Sequence, residues 1–495
     1  MAVLVGVERA RKPVGSASSR LAVGVGALAV VVFALASAHL IDDTYITLSY
    51  ARNLAFHGRW GLLADATANT ATSPLNVLTL AALTFVTRNA VFAAGLSFVA
   101  CQVLTVLALR RIGAAMELPR WFAPVTAAAL MVNPVLLSSI GLEVALGVAG
   151  IGWLLVFARE RRPLALGLVT GALALVRLDL LVVAAVVVLV RRRCWTGGWR
   201  TAFGTALVAV PWFALSWVAL GAAVPDTLVI KTQQGAQRAW GRWDFGNGPA
   251  LYWRYFPWQV VLSFAPVVLA AVASLVWTVA LLRRSPAAKR TAPFAVLALA
   301  GAAYCFVYIG LGVPPYHWYY GPGIACATVF VCAAASSLSG TGVVRLLAAG
   351  LIGASALAYA GGGLPRAFAP ITSNYTSSAQ YAEIGRAVGA ITGGKVVASA
   401  GEIGVLAYTC DCAVVDVFSD RGRLRDAIAA AKTTAGPVVR TLLEVNFHFL
   451  EPGVPRRADF LLERHSGGPP PGAIAHWRIT APMLGPDDLY LRLAP

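Results

Sequence analysis

The chain has 495 residues, of which 58% are hydrophobic and only 13% charged, and its formal net charge is +18. Soluble globular proteins are about half apolar and a quarter charged, so this composition excludes an ordinary soluble domain. Of the 40 basic residues, 19 stand in six short tracts between apolar runs, and no exposed module carries a basic face, which argues against nucleic-acid binding. Basic tracts between apolar runs are typical of a multi-pass plasma-membrane protein whose tracts lie on the cytoplasmic side.

The apolar runs predict a mainly α, polytopic helical membrane protein. Residues 1–20 are basic and are expected to form a disordered cytoplasmic N-terminus, followed by a transmembrane domain over 21–360. The apolar run 75–87 is shorter than the ~20 residues that a full span needs, so we predict a half-depth helix there. About eleven transmembrane helices then keep every basic tract inside and place the C-terminal tail outside. The runs cover 21–40, 90–109, 121–140, 144–158, 163–176, 180–190, 201–220, 259–282, 291–312, 321–338 and 343–360.

Two of these runs, 163–176 and 180–190, are separated by Arg177, Leu178 and Asp179. Both outer flanks are basic, yet at about 1.5 Å per residue neither run crosses a ~30 Å hydrocarbon core. The tip is therefore expected within membrane depth, where ionised groups face a protein interior or a watery cavity. Two interpretations remain open, a structural Arg–Asp pair and a substrate-binding lining.

The first outer loop, 41–74, begins with the adjacent carboxylates Asp42 and Asp43. A desolvated carboxylate beside a like charge can act as a general base towards a hydroxyl. The same pair could instead bind a divalent cation, and one of the two could cap the following helix. We predict both as catalytic residues. The sequence assigns no cofactor beyond this open divalent-cation alternative.

The second outer loop, 221–258, combines basic and aromatic residues. Arginine suits bidentate phosphate contacts, whereas aromatic rings suit sugar faces or the membrane interface. An ordinary interfacial aromatic belt is the alternative interpretation. The outer turn around residue 317 and the helix end at Glu143 are further candidates for orienting a substrate. The predicted substrate-binding residues outside the first loop are Glu143, Arg177, Asp179, Lys231, Arg238, Arg242, Arg254, His317 and Tyr320.

The tail, 361–495, changes character, since long apolar runs end and Pro, Gly and charges appear. Its pattern predicts a small extracytoplasmic α/β domain. We expect Glu383, Glu402 and Asp416 to be structural within it. Helical patterns cover 375–391 and 424–449, and strand patterns cover 395–400, 413–418, 458–463, 476–480 and 488–493.

Four short motifs resemble one family of membrane enzymes. The first is D-D-T-Y-I-T-L-x-Y-A-R-N-L-A-x-x-G at 42–58, followed by T-S-P-L at 72–75, and it resembles the first outer loop of GT-C class glycosyltransferases. The closest likeness is to the actinobacterial lipid-linked arabinofuranosyltransferases and their relatives. The segments 139–144 and 401–416 continue the likeness, as does 176–179, where Leu178 replaces a usual proline.

The resemblance implies a GT-C-like fold and a reaction. A sugar such as arabinofuranose would pass from a polyprenyl-phosphate donor in the membrane lipid to a glycan acceptor of the cell envelope. It also implies that Asp42, the first acid of the motif, is the base, with Asp43 orienting the substrate or holding a metal. Arg52, which lies within the same motif, is also predicted to bind substrate. A transporter or flippase of a lipid-linked intermediate and a glycan-binding scaffold are the competing hypotheses. A scaffold has no need for adjacent acids at a membrane edge. A transporter also uses charges within the membrane, but the sequence shows no internal repeat of the kind transporters carry.

Overall fold

The computed structural model describes residues 16–191, 194–338, 341–399, 401–451, 453–465 and 467–495. Most of the predicted disordered N-terminus therefore lies outside the described residues, and 16–20 already belong to the first helix. The α-helices up to residue 360 are α1 Ser16–Ala36, α2 Asp42–His57, α3 Pro74–Thr87, α4 Ala90–Ala115, α5 Phe122–Val132, α6 Pro134–Ser138, α7 Val144–Glu160, α8 Pro163–Val176, α9 Leu180–Val190, α10 Gly198–Ala219, α11 Thr227–Ala236, α12 Gly248–Trp253, α13 Pro257–Leu282, α14 Pro286–Gly310, α15 Gly321–Leu338 and α16 Thr341–Ala360.

The protein is a multi-pass membrane protein, as its composition predicted. Within the described residues, six helices are long and apolar enough to cross a membrane. The predicted count of about eleven is not confirmed, because several apolar helices are shorter than the ~20 residues that a full span requires. The six are Ser18–His39, Ala90–Ala115, Gly198–Ala219, Pro257–Leu282, Pro286–Gly310 and His317–Ser337.

Three short helices correspond to apolar runs that were predicted to be too short for a full membrane crossing. Helix α3 has 14 residues, α8 has 14 and α9 has 11, so each rises only about 16–21 Å. Helix α8 begins at Pro163 and ends where Arg177 adopts an extended conformation, so the helical conformation is interrupted between α8 and α9. Helix α8 also packs closely on α10, since a Cβ on Gly167 would lie 2.2 Å from the Thr201 carbonyl oxygen.

A small α/β unit follows residue 360, and its sheet confirms the predicted C-terminal sheet. The sheet order is β2-β1-β3-β5-β4, with β1 parallel to both β2 and β3 and the β3–β5 and β5–β4 pairs antiparallel. The predicted pattern missed one short helix, α18. The elements are α17 Ser378–Thr392, β1 Val397–Ser399, α18 Gly404–Thr409, β2 Val414–Val415, α19 Arg425–Thr434, α20 Pro437–Asn446, β3 Phe460–Arg464, β4 Ala473–Ala481 and β5 Gly485–Leu493.

The C-terminal unit and the first outer loop share one hydrophobic core. Tyr50 and Trp60 of that loop pack in the same buried cluster as Tyr381, Leu406 and Leu491 of the C-terminal unit. The Tyr50 hydroxyl is also buried and lies 2.7 Å from the Thr70 hydroxyl. Because this core is continuous, α2 and the C-terminal unit are held in one arrangement, and a cavity forms where they meet.

Candidate functional site

A cavity of about 800 Å³ opens between the outer loops and the C-terminal unit. This volume lies within the range typical of small-molecule sites. Its lining comes from α2, α11, the turn before residue 317 and the loops that follow β1 and β2. The lining residues are Asp42, Asp43, Ile46, Lys231, Gln234, Ala239, Trp240, Tyr316, Ser373, Tyr375, Ser399, Gly401, Glu402, Ile403, Asp416, Val417, Phe418, Arg423, Met483 and Leu484.

Asp42 and Asp43 occupy the first turn of α2, directly after Ile41 in an extended conformation. The partial positive charge of a helix N-terminus stabilises carboxylates at that position. Asp42 is buried, and its two oxygens accept hydrogen bonds from the backbone N–H groups of Gly404 and Val405, both at 2.8 Å. A Cβ on Gly404 would lie only 2.0 Å from the Asp42 carbonyl oxygen, so this close approach requires glycine. Asp42 therefore attaches α2 to the start of α18.

Asp43 differs from its neighbour in having a free carboxylate. It is half-buried and faces the cavity, and among the described residues no other residue hydrogen-bonds or ion-pairs with its side chain. Burial raises the pKa of Asp43, and repulsion from Glu143 raises it further, whereas Lys231 acts in the opposite direction. A carboxylate that faces a cavity with a raised pKa has the properties of a general base.

Lys231 supplies a positive charge to the same cavity lining. It lies on α11, and its Nζ is 3.7 Å from the ring centroid of Tyr316 and 5.5 Å from that of Phe418. Burial lowers the pKa of Lys231 and Arg177 lowers it further, whereas Asp43 acts in the opposite direction. An ammonium that cation–π contacts hold without a carboxylate at contact distance retains its capacity to bind an anion.

Glu402 and Asp416 also line the cavity, and both have structural contacts within the tail, since Asp416 accepts hydrogen bonds from the backbone N–H groups of Phe418 at 2.7 Å and Ser419 at 3.0 Å. Glu402 follows β1 and Asp416 follows β2, and these two strands are parallel. The carboxyl ends of parallel strands meet at one edge of a sheet, so the two acids approach the cavity together. In the sequence, Glu402 follows the first predicted buried strand, 395–400, whereas Asp416 lies within the second, 413–418. The sequence does not show that the two strands are parallel or that the second ends before Asp416.

The acidic side of the cavity keeps protons more tightly than isolated carboxyls would. Burial raises the pKa of Asp42 to about 7 and that of Asp416 to about 7. Burial also raises the pKa of Glu402 well above its usual value, and repulsion from Asp42 adds to the effect. Glu402 accepts hydrogen bonds from Asn374 Nδ2 at 2.6 Å and from the Tyr375 backbone N–H at 3.0 Å. This side of the cavity therefore presents hydrogen-bonding groups to a ligand rich in hydroxyls.

Three predicted substrate-binding residues, Glu143, Arg177 and Asp179, form a closed network next to the cavity. The Arg177 guanidinium donates to Asp179 at 2.6–3.1 Å and to Glu143 at 3.1 Å, and it lies 4.5 Å from the ring centroid of Tyr319. The Tyr308 hydroxyl contacts both Arg177 and Asp179. None of the three charged residues lines the 800 Å³ cavity. Their charges are satisfied by one another, as the structural interpretation of the tip requires.

Three predicted residues of the second outer loop lie outside the main cavity. Arg238 and Arg242 line a separate pocket of about 370 Å³, which shares Gln234 and Trp240 with the main cavity. Arg254 stacks on Trp243, with its Cζ 4.8 Å from the ring centroid. The two arginines of the smaller pocket are therefore neighbours of the site, whereas Arg254 lines neither pocket.

The remaining predicted residues have structural contacts. Arg52 donates to the Tyr408 carbonyl oxygen at 2.9 Å and stacks on the Tyr408 ring, so it links α2 to α18. His317 is buried beside the Ser138 carbonyl oxygen, and the Tyr320 hydroxyl donates to the Phe245 carbonyl oxygen at 2.8 Å. None of these side chains lines the cavity. Within the described parts of the chain, no group of three or more His, Cys, Asp or Glu residues is arranged to hold a metal ion.

Comparison with known proteins gives structural but not sequence relatives. No protein-family model and no curated protein matches the sequence. The structure of ArnT from Cupriavidus metallidurans bound to undecaprenyl phosphate is similar, with a TM-score of 0.51 and 13% identity over 96% of this chain and 98% of ArnT. The mycobacterial arabinofuranosyltransferase AftD is similar with a TM-score of 0.50 and 15% identity. That match covers 96% of this chain but 40% of AftD. The chain therefore shares its fold with two GT-C membrane glycosyltransferases, in agreement with the resemblance of its first outer loop.

Proposed function

We propose that the protein is an integral-membrane glycosyltransferase that passes a sugar from a polyprenyl-phosphate donor to a hydroxyl of a cell-envelope glycan. The observation that carries this proposal is the 800 Å³ cavity, which is lined both by Asp43, whose carboxylate has no partner among the described residues, and by Lys231. A general base and a cation for a phosphate are the two groups that such a transfer needs. The undecaprenyl phosphate bound to ArnT and the arabinofuranosyltransferase activity in the name of AftD support the donor class.

In the proposed reaction, the Asp43 carboxylate accepts the proton of the acceptor hydroxyl. The acceptor oxygen attacks the anomeric carbon of the donor sugar, and the bond from that carbon to the phosphate oxygen breaks. The leaving polyprenyl phosphate carries the new negative charge, which Lys231 stabilises. One direct displacement inverts the configuration at the anomeric carbon.

This proposal exchanges the roles that the sequence favoured for the two adjacent acids. Asp42 was expected to be the base, but both its oxygens accept backbone hydrogen bonds from the start of α18. A carboxylate whose oxygens are both engaged is poorly placed to take a substrate proton. Asp43 has no such partners among the described residues, which supports Asp43 as the base and Asp42 as the residue that positions it.

Further residues of the cavity lining support a sugar acceptor. Trp240, Tyr316 and Tyr375 supply aromatic faces, and Glu402 and Asp416 supply hydrogen-bonding groups for hydroxyls. The smaller pocket with Arg238 and Arg242 is proposed to contribute positive charge near the donor phosphate. Arabinofuranose is the proposed sugar because the sequence motifs and AftD both point to it.

The proposed orientation places the cavity and the C-terminal unit on the outer face of the plasma membrane. The basic tracts between apolar runs support this orientation, since cytoplasmic loops carry an excess of Lys and Arg. Donor and acceptor would then meet outside the cytoplasm. A reporter fused after Pro495 is expected to be active only on the outer side.

Lipid and glycan analysis of cells that lack the protein tests the proposal and does not require the sugar to be identified beforehand. We expect one polyprenyl-phosphate sugar to accumulate and one envelope glycan to lose the corresponding residue. Wild-type protein should reverse both changes, and Asp43→Asn should reverse neither. Asp65→Asn is the matched control, because Asp65 is an exposed acid of the same outer loop whose contact is an ion pair with Arg456.

Two outcomes would contradict the proposal. An unchanged lipid pool together with an unchanged glycan would exclude a transferase that uses such a donor. Full reversal by Asp43→Asn, with the lipid-linked sugar trapped in the inner leaflet of the deleted cells, would instead indicate a flippase.

A further inference from the structure

Helix α20 of the C-terminal unit has an exposed apolar stripe. Val438, Leu442 and Val445 are 74%, 63% and 52% exposed, and their spacing of four and three residues places them on one face of the helix. A second face packs inward, where Leu443 and Phe447 join a buried cluster with α19. The stripe is therefore additional apolar surface that the fold of this unit does not bury.

The stripe lies next to the end of a membrane-spanning helix. The Trp217 indole N–H of α10 donates to the Val445 carbonyl oxygen at 2.7 Å, and its ring packs on Phe449 with centroids 5.0 Å apart. On the same last turns of α10, Leu215 and Val218 are 56% and 63% exposed. The apolar surface of a spanning helix thus continues onto α20.

The position of Trp217 along α10 sets the height of this contact. Helix α10 has 22 residues, so it rises about 33 Å, close to the ~30 Å thickness of a hydrocarbon core. Residue 217 therefore lies where the hydrocarbon meets the headgroups, the depth at which Trp is enriched. Polar residues occupy a further face of α20, with Arg440, Thr441 and Glu444 all exposed.

We propose that α20 lies in the lipid–water boundary of the bilayer, with the stripe of Val438, Leu442 and Val445 among the lipid acyl chains. A short helix with one apolar and one polar face is suited to lie parallel to a membrane surface. The occupant of the stripe is therefore phospholipid, because the neighbouring surface of α10 is already lipid-facing. This proposal depends on the membrane insertion of the chain and not on its enzymatic activity.

The contact would also anchor the loop that leads to the cavity. Asn446 of α20 accepts from the Val224 backbone N–H at 2.7 Å and donates to the Val224 carbonyl oxygen at 3.2 Å. Val224 precedes α11, which carries Lys231. A helix held at the membrane surface would therefore keep α11 and the cavity at a constant height above the bilayer.

Fluorescence quenching by lipids tests the proposal. Leu442→Cys, on the stripe, and Glu444→Cys, on the polar face of the same helix, are labelled with one fluorophore in nanodiscs of phosphatidylcholine and phosphatidylglycerol. Lipids with a nitroxide near the headgroup end of the acyl chain should quench the label at 442 at least twofold more than the label at 444. A water-soluble quencher should show the opposite order. Labelling of the unmodified chain measures the background from its native cysteines.

Equal quenching of both positions by the lipid nitroxide would overturn the proposal, since the stripe would then have no preferred contact with lipid. Protection of position 442 from both quenchers would also overturn it. In that case, a short distance between labels at 442 in two copies, measured by pulsed electron paramagnetic resonance, would identify a second copy of this chain as the occupant. Transfer activity is not the readout, so failure here leaves the proposed function unaffected.

Discussion

Two groups of charged residues, the Arg177 network and the Asp43–Lys231 pair, differ in how their charges are satisfied. The Arg177 guanidinium is enclosed by Glu143, Asp179 and Tyr308 and has little exposed surface. Asp43 and Lys231 face an open cavity, and neither forms an ion pair at contact distance within the described chain. Both groups consist of charges that are costly to bury.

This difference indicates how charged residues with a structural role can be distinguished from those with a functional role in a membrane protein. A closed network compensates its own desolvation and needs no ligand. An open pair leaves part of that compensation to a ligand, because a carboxylate and an ammonium that face a cavity can each still bind an opposite charge or a proton. Ionised residues are rare within membrane helices, but the presence of one does not by itself identify a substrate site. Five measurements on variants of the two groups test this distinction.

The largest expected effect is on catalysis, from Asp43→Asn. Asparagine keeps the size of the side chain but cannot accept a proton at neutral pH, so transfer should fall by about 10²–10⁴-fold. The thermal unfolding temperature and donor binding should remain near wild type, because no described residue hydrogen-bonds or ion-pairs with the Asp43 side chain. Transfer, melting and donor binding are measured on one detergent preparation, with Asp65→Asn as the control. Full transfer by Asp43→Asn would remove the basis for the open pair as a catalytic site.

Arg177→Met should act on folding instead. It leaves Glu143 and Asp179 buried without their counter-charge, at a cost of about 3–5 kcal/mol in the free energy of unfolding. The measurement is thermal or denaturant unfolding in detergent. The double variant Arg177→Met with Glu143→Gln should recover part of the loss, because it removes one of the stranded charges. A stable Arg177→Met protein that has lost only donor binding would show that the network is a substrate site.

Lys231→Met should weaken donor binding. A charge-assisted contact to phosphate contributes about 1.5–3 kcal/mol, so the dissociation constant of the donor should rise by roughly tenfold to a hundredfold. Lys395→Gln is the control, because Lys395 is an exposed lysine of the C-terminal unit. Binding of the lipid donor is measured directly, for example by spectral titration in nanodiscs. Unchanged donor binding in Lys231→Met would contradict a phosphate contact by Lys231 and would indicate that Arg238 and Arg242 bind the phosphate instead.

Asp42→Asn should loosen the contact between α2 and α18. The amide retains one acceptor oxygen, so one of the two backbone donors, Gly404 or Val405, loses its partner at a cost of about 1–3 kcal/mol. Limited proteolysis should then cleave the C-terminal unit faster, and activity should fall less than in Asp43→Asn. If Asp42→Asn abolished transfer without changing proteolysis, the base would be Asp42.

The smallest expected effect is a shift in the pH profile. The base must be ionised to act, so transfer should rise with pH through the pKa of Asp43, which burial and Glu143 raise above its usual value. Glu143→Gln removes the repulsion and keeps a hydrogen bond to Arg177, so the acid limb of kcat/KM should move to lower pH. An unmoved acid limb would show that the network and the pair are electrostatically independent.

Much of the fold could be predicted from the sequence, because the position of a membrane helix depends on the hydrophobicity of neighbouring residues. The long spans, the short helices α3, α8 and α9 and the break at Arg177 all follow from the length of each run and the position of charges. The number of complete crossings did not follow, since a 14-residue apolar helix can be placed at several depths. The missed helix α18 has only six residues, too few for a periodic signal.

The candidate site was anticipated in part, for a similar reason. Asp42, Asp43 and Lys231 were identified from residue type and position, and the structure brings all three to one cavity. Arg52 was not distinguishable from a substrate-binding arginine by sequence, because its partner is a carbonyl oxygen 356 residues away. Glu402 was expected to be structural because nothing local indicates that its strand ends at the cavity.

The sequence by itself determined that the chain inserts in a membrane, that two acids begin the helix after the first span, and that an α/β unit follows the last span. These properties depend on neighbouring residues, through hydrophobic burial and helix-terminus electrostatics. Only the tertiary structure decided which of the two acids is free. That decision depends on the start of α18, whose N–H groups lie 362 and 363 residues along the chain from Asp42. A carboxylate becomes structural or reactive according to the donors that reach it, and those donors are set by packing.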